Sequence, residues 1–524
     1  MSSFKQLARG VAVSWASTLA SIIAGFVMAP FLIHHLGVVG YGVWVLIQST
    51  ISYMYLTDLG LRTAVIRFVA RDYANRNHPE VSRIISAAIW VRFWSGAAVV
   101  LIISTIASLL PRLFTIPSQY VSQGRAALVV VGITFASTLI FSVFSATLMA
   151  IGRFDRLALL ELAQIILTTV GLIPVVKAGY GLIGMALWHL GATTAVNLSI
   201  AVSCFRAYPQ LKISVSRVPE RELLRALWGV GLYILGYNLA GQLIMYSDNL
   251  VVGAFVSAAA VAYYAVAGRM VEYLRQVSGA ILKYFTPMAS AFEARKQYDR
   301  LQQLQIRGTQ VVLIVALPAA ITLFLRGGTF FFLWIGPEFR QYATPVLKIL
   351  VVFIALSAPN VAVPSLAIAM GKQKFLAFLT IIEGVVNLIV SVILARTMGI
   401  IGVAIGSAVP SGLMQIFVWP RFMGWLIPTD QWRFVREVWI RPAVGMIPFV
   451  IATYLAELHW PAHNMAIFFA QTFALLPIAF AGIYLVFRND IPALRAYMRR
   501  GAEPAPNASD ETSASGTDTV AILD

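Results

Sequence analysis

Trp228-GVGLYILGYNLAGQLIMYSDNLVVG-Ala254 is followed after three residues by a second long apolar run, from Ala258 to Lys283. Each can cross a bilayer, because about 20 helical residues rising about 1.5 Å apiece match a hydrocarbon core of roughly 30 Å. Yet the first carries Asn238, Gln242, Asp248 and Asn249, and the second carries Arg269, Glu272 and Arg275. A charge at the centre of a membrane helix costs about 2.5 to 3.5 kcal/mol on insertion scales, so it is retained where it meets water or a partner. On a helical wheel, Asn238, Gln242, Met245 and Asn249 form one stripe with Asp248 at its edge, and Arg269, Glu272 and Gln276 form another. Two polar stripes on consecutive spans predict a shared hydrophilic interior.

The rest of the chain places this pair inside a polytopic membrane protein. Of 524 residues, 59% are hydrophobic and 12% charged, and the mean hydropathy is +0.80, outside the soluble globular range. Hydropathy predicts fourteen spans: 13–34, 40–61, 84–110, 126–150, 156–177, 182–204, 228–254, 258–283, 307–326, 343–370, 375–395, 400–424, 436–457 and 464–487. The first is too long for the core of a cleaved signal peptide and is read as a permanent helix. With both ends inside, 29 of the 39 Lys and Arg residues fall on cytoplasmic segments. That is the positive-inside asymmetry, so the net charge of +17 reflects topology and anionic headgroups, and nucleic acid is not an expected partner. Cys204 is the single cysteine, which excludes an internal disulfide.

The chain also repeats itself. Ala146-TLMAIGRFDRLALLELAQ-Ile165 lies on Ser365-LAIAMGKQKFLAFLTIIE-Gly384 so that Gly152 meets Gly371; Gly60 meets Gly279 in the same register, and Gly181 meets Gly399 after a one-residue gap. Equivalent points are six helices apart, so the copies enter the membrane from the same side. The expected architecture is all-α: an N-terminal lobe at 1–205, a cytoplasmic linker at 206–227, a C-terminal lobe at 228–425, two appended helices at 426–487 and a disordered cytoplasmic tail at 488–524. Outer connections are short, and Phe114, Tyr120, Trp334 and Phe339 on them are expected in an interfacial aromatic belt. The inner stretches Arg62 to Arg83 and Lys283 to Arg307 are expected to contain amphipathic helices.

Leu36-GVVGYGVWVLIQSTISYMYLTDLGL-Arg62, with its Gly40-Tyr41-Gly42 opening and late Asp58-Leu59-Gly60-Leu61, resembles the second-helix segment of bacterial polysaccharide flippases, and the helix openings Gly152-Arg153 and Gly371-Lys372 are similar too. The resemblance runs from Phe4 to Phe487. It implies the multidrug/oligosaccharidyl-lipid/polysaccharide exporter fold, location in the bacterial inner membrane, and passage of undecaprenyl-diphosphate-linked glycans to the periplasmic leaflet, alongside a polysaccharide polymerase and glycosyltransferases. The fourteen spans fit a flippase of that superfamily better than a twelve-span drug or cation antiporter. Peptidoglycan-precursor flippases carry an arginine and an aspartate early in their first helix, whereas Val11 to Ile33 holds no charge here.

Arg269, Glu272 and Arg275 are the leading candidates for substrate binding, with the glutamate spaced to bridge either arginine and an ion-pair ladder as the structural alternative. Arg92, Asn238, Gln242 and Asn249 extend the expected polar lining. Asp248 is the leading ion-coupling candidate, with a pairing to Arg269 as its alternative; Glu383 and Asp58 follow. Pro174, Pro318, Pro359, Pro364, Pro410 and Pro448 interrupt helices, as hinges or fixed kinks. No cofactor or metal is expected, and no outer loop is long enough to hold the catalytic groups of a membrane polymerase or ligase.

Overall fold

The computed structural model describes residues 2–58, 60–214, 220–222, 232–282, 285–427 and 430–488; within these, the side chains of 2–17, 58, 232–238, 240, 280–282, 286–287 and 431 lie outside the description. The tail beyond 488, expected to be disordered, also lies outside the described residues. The described chain is helical, in the order α1 (Ser2–Ser52), α2 (Leu61–Ala74), α3 (His78–Leu113), α4 (Ser118–Ala150), α5 (Phe154–Lys177), α6 (Gly181–Ala207), α7 (Leu232–Phe255), α8 (Ala258–Leu282) and α9 (Phe285–Ala294). It continues with α10 (Tyr298–Trp334), α11 (Pro337–Ser357), α12 (Val363–Ala369), α13 (Gln373–Leu413), α14 (Trp419–Leu426), α15 (Gln431–Phe434), α16 (Arg441–His459) and α17 (Met465–Phe487). No strand occurs among the described residues. In hydrocarbon every backbone amide needs an internal partner, which a helix provides.

Among the described residues, ten helical stretches are long and apolar enough to cross a membrane. Two of these, Thr18–Thr57 and Gln373–Leu426, each hold two spans divided at a glycine with a non-helical backbone, Gly37 (φ 73°) and Gly399 (φ 59°). Helices α7 and α8, 24 and 25 residues long, have the reach to span, and their polar stripes hold them below the apolarity of the others. Counted so, the spans number fourteen, and the protein is a multi-pass membrane protein of two related six-helix lobes with an appended pair, α16 and α17. The expected amphipathic helices of the inner stretches are α2 and α9.

The repeat is visible in backbone geometry. Gly152 and Gly371 have φ of 78° and 69°, and each closes its helix with the same pair of bonds: Gly152 N–H to Met149 O and Arg153 N–H to Leu148 O, Gly371 N–H to Ile368 O and Lys372 N–H to Ala367 O. A left-handed residue after a helix is the usual stop, and glycine takes it without strain. The Gly60 and Gly279 match does not carry over to conformation, because Gly60 is left-handed (φ 71°) while Gly279 continues α8. A register not expected from sequence replaces it: Arg76 (φ 57°) and Lys296 (φ 55°), the non-glycine residues of positive φ among the described residues, sit at equivalent helix stops, with Asn77 N–H on Asp72 O and Gln297 N–H on Phe292 O.

The appended pair is fastened to α10 at both ends. At one, the fully buried Arg326 pairs with Glu457 through Nε at 2.9 Å, donates to Gln471 Oε1 at 2.5 Å and lies over the Phe468 ring, while Thr329 donates to the same carboxylate. At the other, Glu437 accepts from Arg441 at 2.5 Å and its carbonyl accepts from Gln310 at 3.0 Å. The expected aromatic belt is corrected at Trp334 and Phe339, which are 9% and 2% exposed. Trp334 stacks on Phe26 of the N-terminal lobe at 4.7 Å, and Phe339 packs edge-on against Tyr263 at 4.9 Å, so both rings are taken up by helix packing.

Candidate functional site

A cavity of about 310 Å³ lies between the lobes, walled by both halves of α1, by α7 and α8, and by α11 and α13. Arg269, Glu272 and Arg275 line it from α8, Asp248 and Asn249 from α7, and Gln48 and Ser49 from α1. The Met245–Asn249 end of the first polar stripe and the Arg269–Glu272 end of the second therefore meet in one chamber.

The charges are arranged unequally. Glu272 pairs with Arg275 at 3.9 Å and accepts from Gln276 Nε2 at 3.4 Å. Arg269, an exposed side chain on the cavity wall, makes no hydrogen bond or ion pair among the described residues and lies within electrostatic reach of the Tyr41 and Tyr273 hydroxyls. A guanidinium keeps its charge and offers five N–H donors in a planar fork, so one left open in a partly dry chamber is suited to an arriving anion.

Asp248 is buried and has other partners than the expected Arg269. Tyr264 Oη donates to its Oδ2 at 2.5 Å, and Ser407 Oγ lies 2.7 Å from both carboxylate oxygens. Ser407 also stands 3.3 Å from Asn387 Oδ1 and from Ser391 Oγ. This knot ties α7 to α8 and to both halves of α13, and the buried Asn387 Nδ2 within it has no partner among the described residues. Asn249 Nδ2 donates to Ser49 Oγ at 3.0 Å, linking the two lobes.

Of the remaining candidates, Gln242 is half-buried with an unpartnered Oε1 and is not among the cavity-lining residues. The side chains of Asn238 and Asp58 lie outside the described residues. Arg92 is 1% exposed on α3 and is not among the residues lining this cavity. Its side chain, expected to extend the basic lining, is taken into the helix packing around α3. Glu383 is buried and faces a second cavity. Sequence reasoning missed Tyr264, which lies off the polar stripe of α8, and Asn387 and Ser407, isolated polar residues on α13.

On the face that charge asymmetry predicts to be outside, the two lobes touch. Thr115, between α3 and α4, donates its N–H to Gly253 O at 2.8 Å and accepts from Ala258 N–H at 3.2 Å. Its hydroxyl reaches Ala254 O at 3.3 Å. A Cβ on Gly42 would overlap the carbonyl oxygen of Ala258, and one on Gly253 would overlap Leu46. Small residues let membrane helices approach closely, since lipid tails compete with large apolar side chains for contact.

Over residues 35–344, more than half its length, the chain matches the family described as polysaccharide biosynthesis protein. It is 24% identical over 416 residues to the probable flippase AglR of Haloferax volcanii, with 78% of this chain and 82% of that protein covered. It is likewise 24% identical over 379 residues to a Shigella flexneri protein provisionally named an O-antigen transporter, with 72% and 88% covered. The solved structure of the lipid II flippase MurJ in an inward closed conformation superposes with a TM-score of 0.71 at 13% identity, covering 92% of this chain and 99% of that one. An inward-facing MATE multidrug transporter of the MOP superfamily superposes at 0.65 with 18% identity, covering 79% and 96%. These likenesses give a common fold, and the part shared with MurJ runs further along the chain than the part shared with the MATE transporter.

Proposed function

Because the chain belongs to the polysaccharide biosynthesis protein family, we propose that it is a secondary transporter that flips undecaprenyl-diphosphate-linked oligosaccharides across the bacterial inner membrane by alternating access, with both termini cytoplasmic. The observation that carries this reading is the open guanidinium of Arg269 in the interlobe cavity, beside the Glu272–Arg275 pair. A diphosphate linker brings about two negative charges, and burying an unpaired ion costs several kcal/mol, so its path needs compensating cations. Arginine can give a phosphate two parallel N–H bonds. Arg269 would meet the diphosphate first, and Glu272 would then release Arg275 to it, so α8 keeps its charges partnered with and without cargo.

The seal around Thr115 and Gly253 would close the outer side while the cavity fills from within. Opening it exchanges two backbone hydrogen bonds and that of the Thr115 hydroxyl for water, a change small enough to be reversed in each cycle. Asp248 is the proposed coupling carboxyl, since loading a proton or cation there would alter a knot that spans three helices and bias the two states differently. Names borne by relatives, a probable flippase and an O-antigen transporter, support the glycan reading. A drug or cation antiporter shares the fold, but two arginines on the wall disfavour a cationic cargo. Polymerase and glycosyltransferase partners belong to the same proposal. Its test is reconstitution: proteoliposomes containing the protein should move a fluorescent undecaprenyl-diphosphate oligosaccharide between leaflets, and no movement above empty liposomes would refute it.

A further inference from the structure

A second cavity, of about 330 Å³, adjoins the first and shares Ile244, Arg275 and Phe353 with it. It lies inside the C-terminal lobe, where the span begun by α11 breaks at the 3₁₀ turn Ala358–Asn360 before resuming as α12. Pro359 lies within the break and Pro364 at the start of α12, and each withholds a backbone N–H from the helical ladder. Asn360 is turned sideways in consequence: its amide donates to Gln415 O at 2.7 Å and Gln415 Oε1 at 3.1 Å, while its own Oδ1 is buried with no partner among the described residues. The residue is 5% exposed and lines the cavity with Thr380, Glu383, Gln415 and Trp419. Glu383, also 5% exposed, lies within hydrogen-bonding reach of Ser411 and of the Trp419 indole and within electrostatic reach of Arg275.

We propose that this second cavity is a sugar subsite, holding the monosaccharide directly bonded to the diphosphate of the lipid-linked cargo. The inference rests on the function proposed above. A pyranose offers hydroxyls that donate and accept, matched by the free Asn360 Oδ1, the Glu383 carboxylate and the Gln415 amide, and an apolar C–H face matched by the Trp419 ring. Its size falls in the range of about 300 to 1,000 Å³ common to small-molecule sites. Connectivity supplies the second argument: the first sugar is one bond from the diphosphate, so the two subsites must touch, and Arg275 belongs to both walls. A small cation would satisfy Glu383 but leaves the aromatic face and the amide donors without a role.

The test is binding of two probes to the purified full-length protein in nanodiscs: undecaprenyl diphosphate, and the lipid-linked oligosaccharide extracted from flippase-deficient cells of the source strain. The wild type is expected to prefer the glycosylated lipid, and Asn360→Ala and Trp419→Leu to lose about tenfold for it, one buried hydrogen bond or stacking contact, with undecaprenyl diphosphate binding unchanged. Thr380→Val, which alters one hydroxyl at near-constant volume, gives the same comparison if the larger changes impair folding. Equal losses for both lipids, or no loss for either, would overturn the subsite while leaving the transport reading intact. A wild type that binds neither lipid would instead remove the transport reading on which the subsite stands.

Discussion

The backbone N–H of Thr115 in the N-terminal lobe donates a 2.8 Å hydrogen bond to the carbonyl of Gly253 in the C-terminal lobe. It joins the connection between α3 and α4 to the last turn of α7, just above the chamber holding Arg269 and Asp248. If the seal is one of two alternating states, locking it stops transport. Cysteines at Thr115 and Ala254 in a Cys204→Ser background should cross-link through a disulfide or a short bifunctional thiol reagent and block flipping, with activity returning on reduction. Full transport by the cross-linked protein would mean the seal does not open in the cycle.

The opposite bias is expected from Gly42. Its Cβ would overlap the Ala258 carbonyl oxygen, and backbone cannot yield as a flexible side chain does. Gly42→Val should therefore hold the lobes apart on this face, raising the labelling of Ser49→Cys from outside and cutting transport at least about tenfold, the effect of a closed state disfavoured by some 1.4 kcal/mol. Wild-type labelling and transport together would contradict it.

A third expectation concerns the appended helices. Removing Arg326 alone strands the Glu457 carboxylate beside a desolvated pocket, and breaking a buried pair in this way costs about 3 to 5 kcal/mol, whereas replacing both partners with apolar residues of similar volume is often near neutral. Arg326→Ala should lower the melting temperature in detergent well below that of the Arg326→Met/Glu457→Leu double variant. Equal melting temperatures would show that the latch contributes little to holding α16 and α17.

Legibility in the sequence followed the strength of the local signal. Arg269, Glu272 and Arg275 stood out because charges are costly in an apolar helix, and they line the cavity together. Gly152 and Gly371 marked the repeat because both take a left-handed stop. Arg76 and Lys296 hold the same backbone role with residues that give no such sign. Ser407 meets Asp248 from 159 positions away, and a lone serine in a membrane helix is commonplace. Arg326 gives no sign of its pairing in the sequence, because its partners, 131 and 145 positions distant, belong to helices outside the repeat. Pairings of that kind are set by tertiary packing and leave no periodicity behind.

Coupling is checked at Asp248. Asparagine keeps the size and can still accept from Tyr264 and Ser407, but it cannot exchange a proton or carry a charge. Asp248→Asn should fold, bind lipid-linked glycan and show a flat pH profile of flipping in proteoliposomes. A profile matching the wild type would move coupling to another carboxyl.

The most direct measurement is surface polysaccharide in a flippase-null strain carrying Arg269→Ala, Arg275→Ala or both, with membrane levels of each variant quantified alongside. Arg269→Ala should abolish export, Arg275→Ala should reduce it less, and Arg269→Lys should restore part of it, since lysine keeps the charge without the bidentate fork. The double variant, normally expressed, should export nothing. Full export from that double variant would make the two arginines structural and contradict recognition of the diphosphate in this cavity.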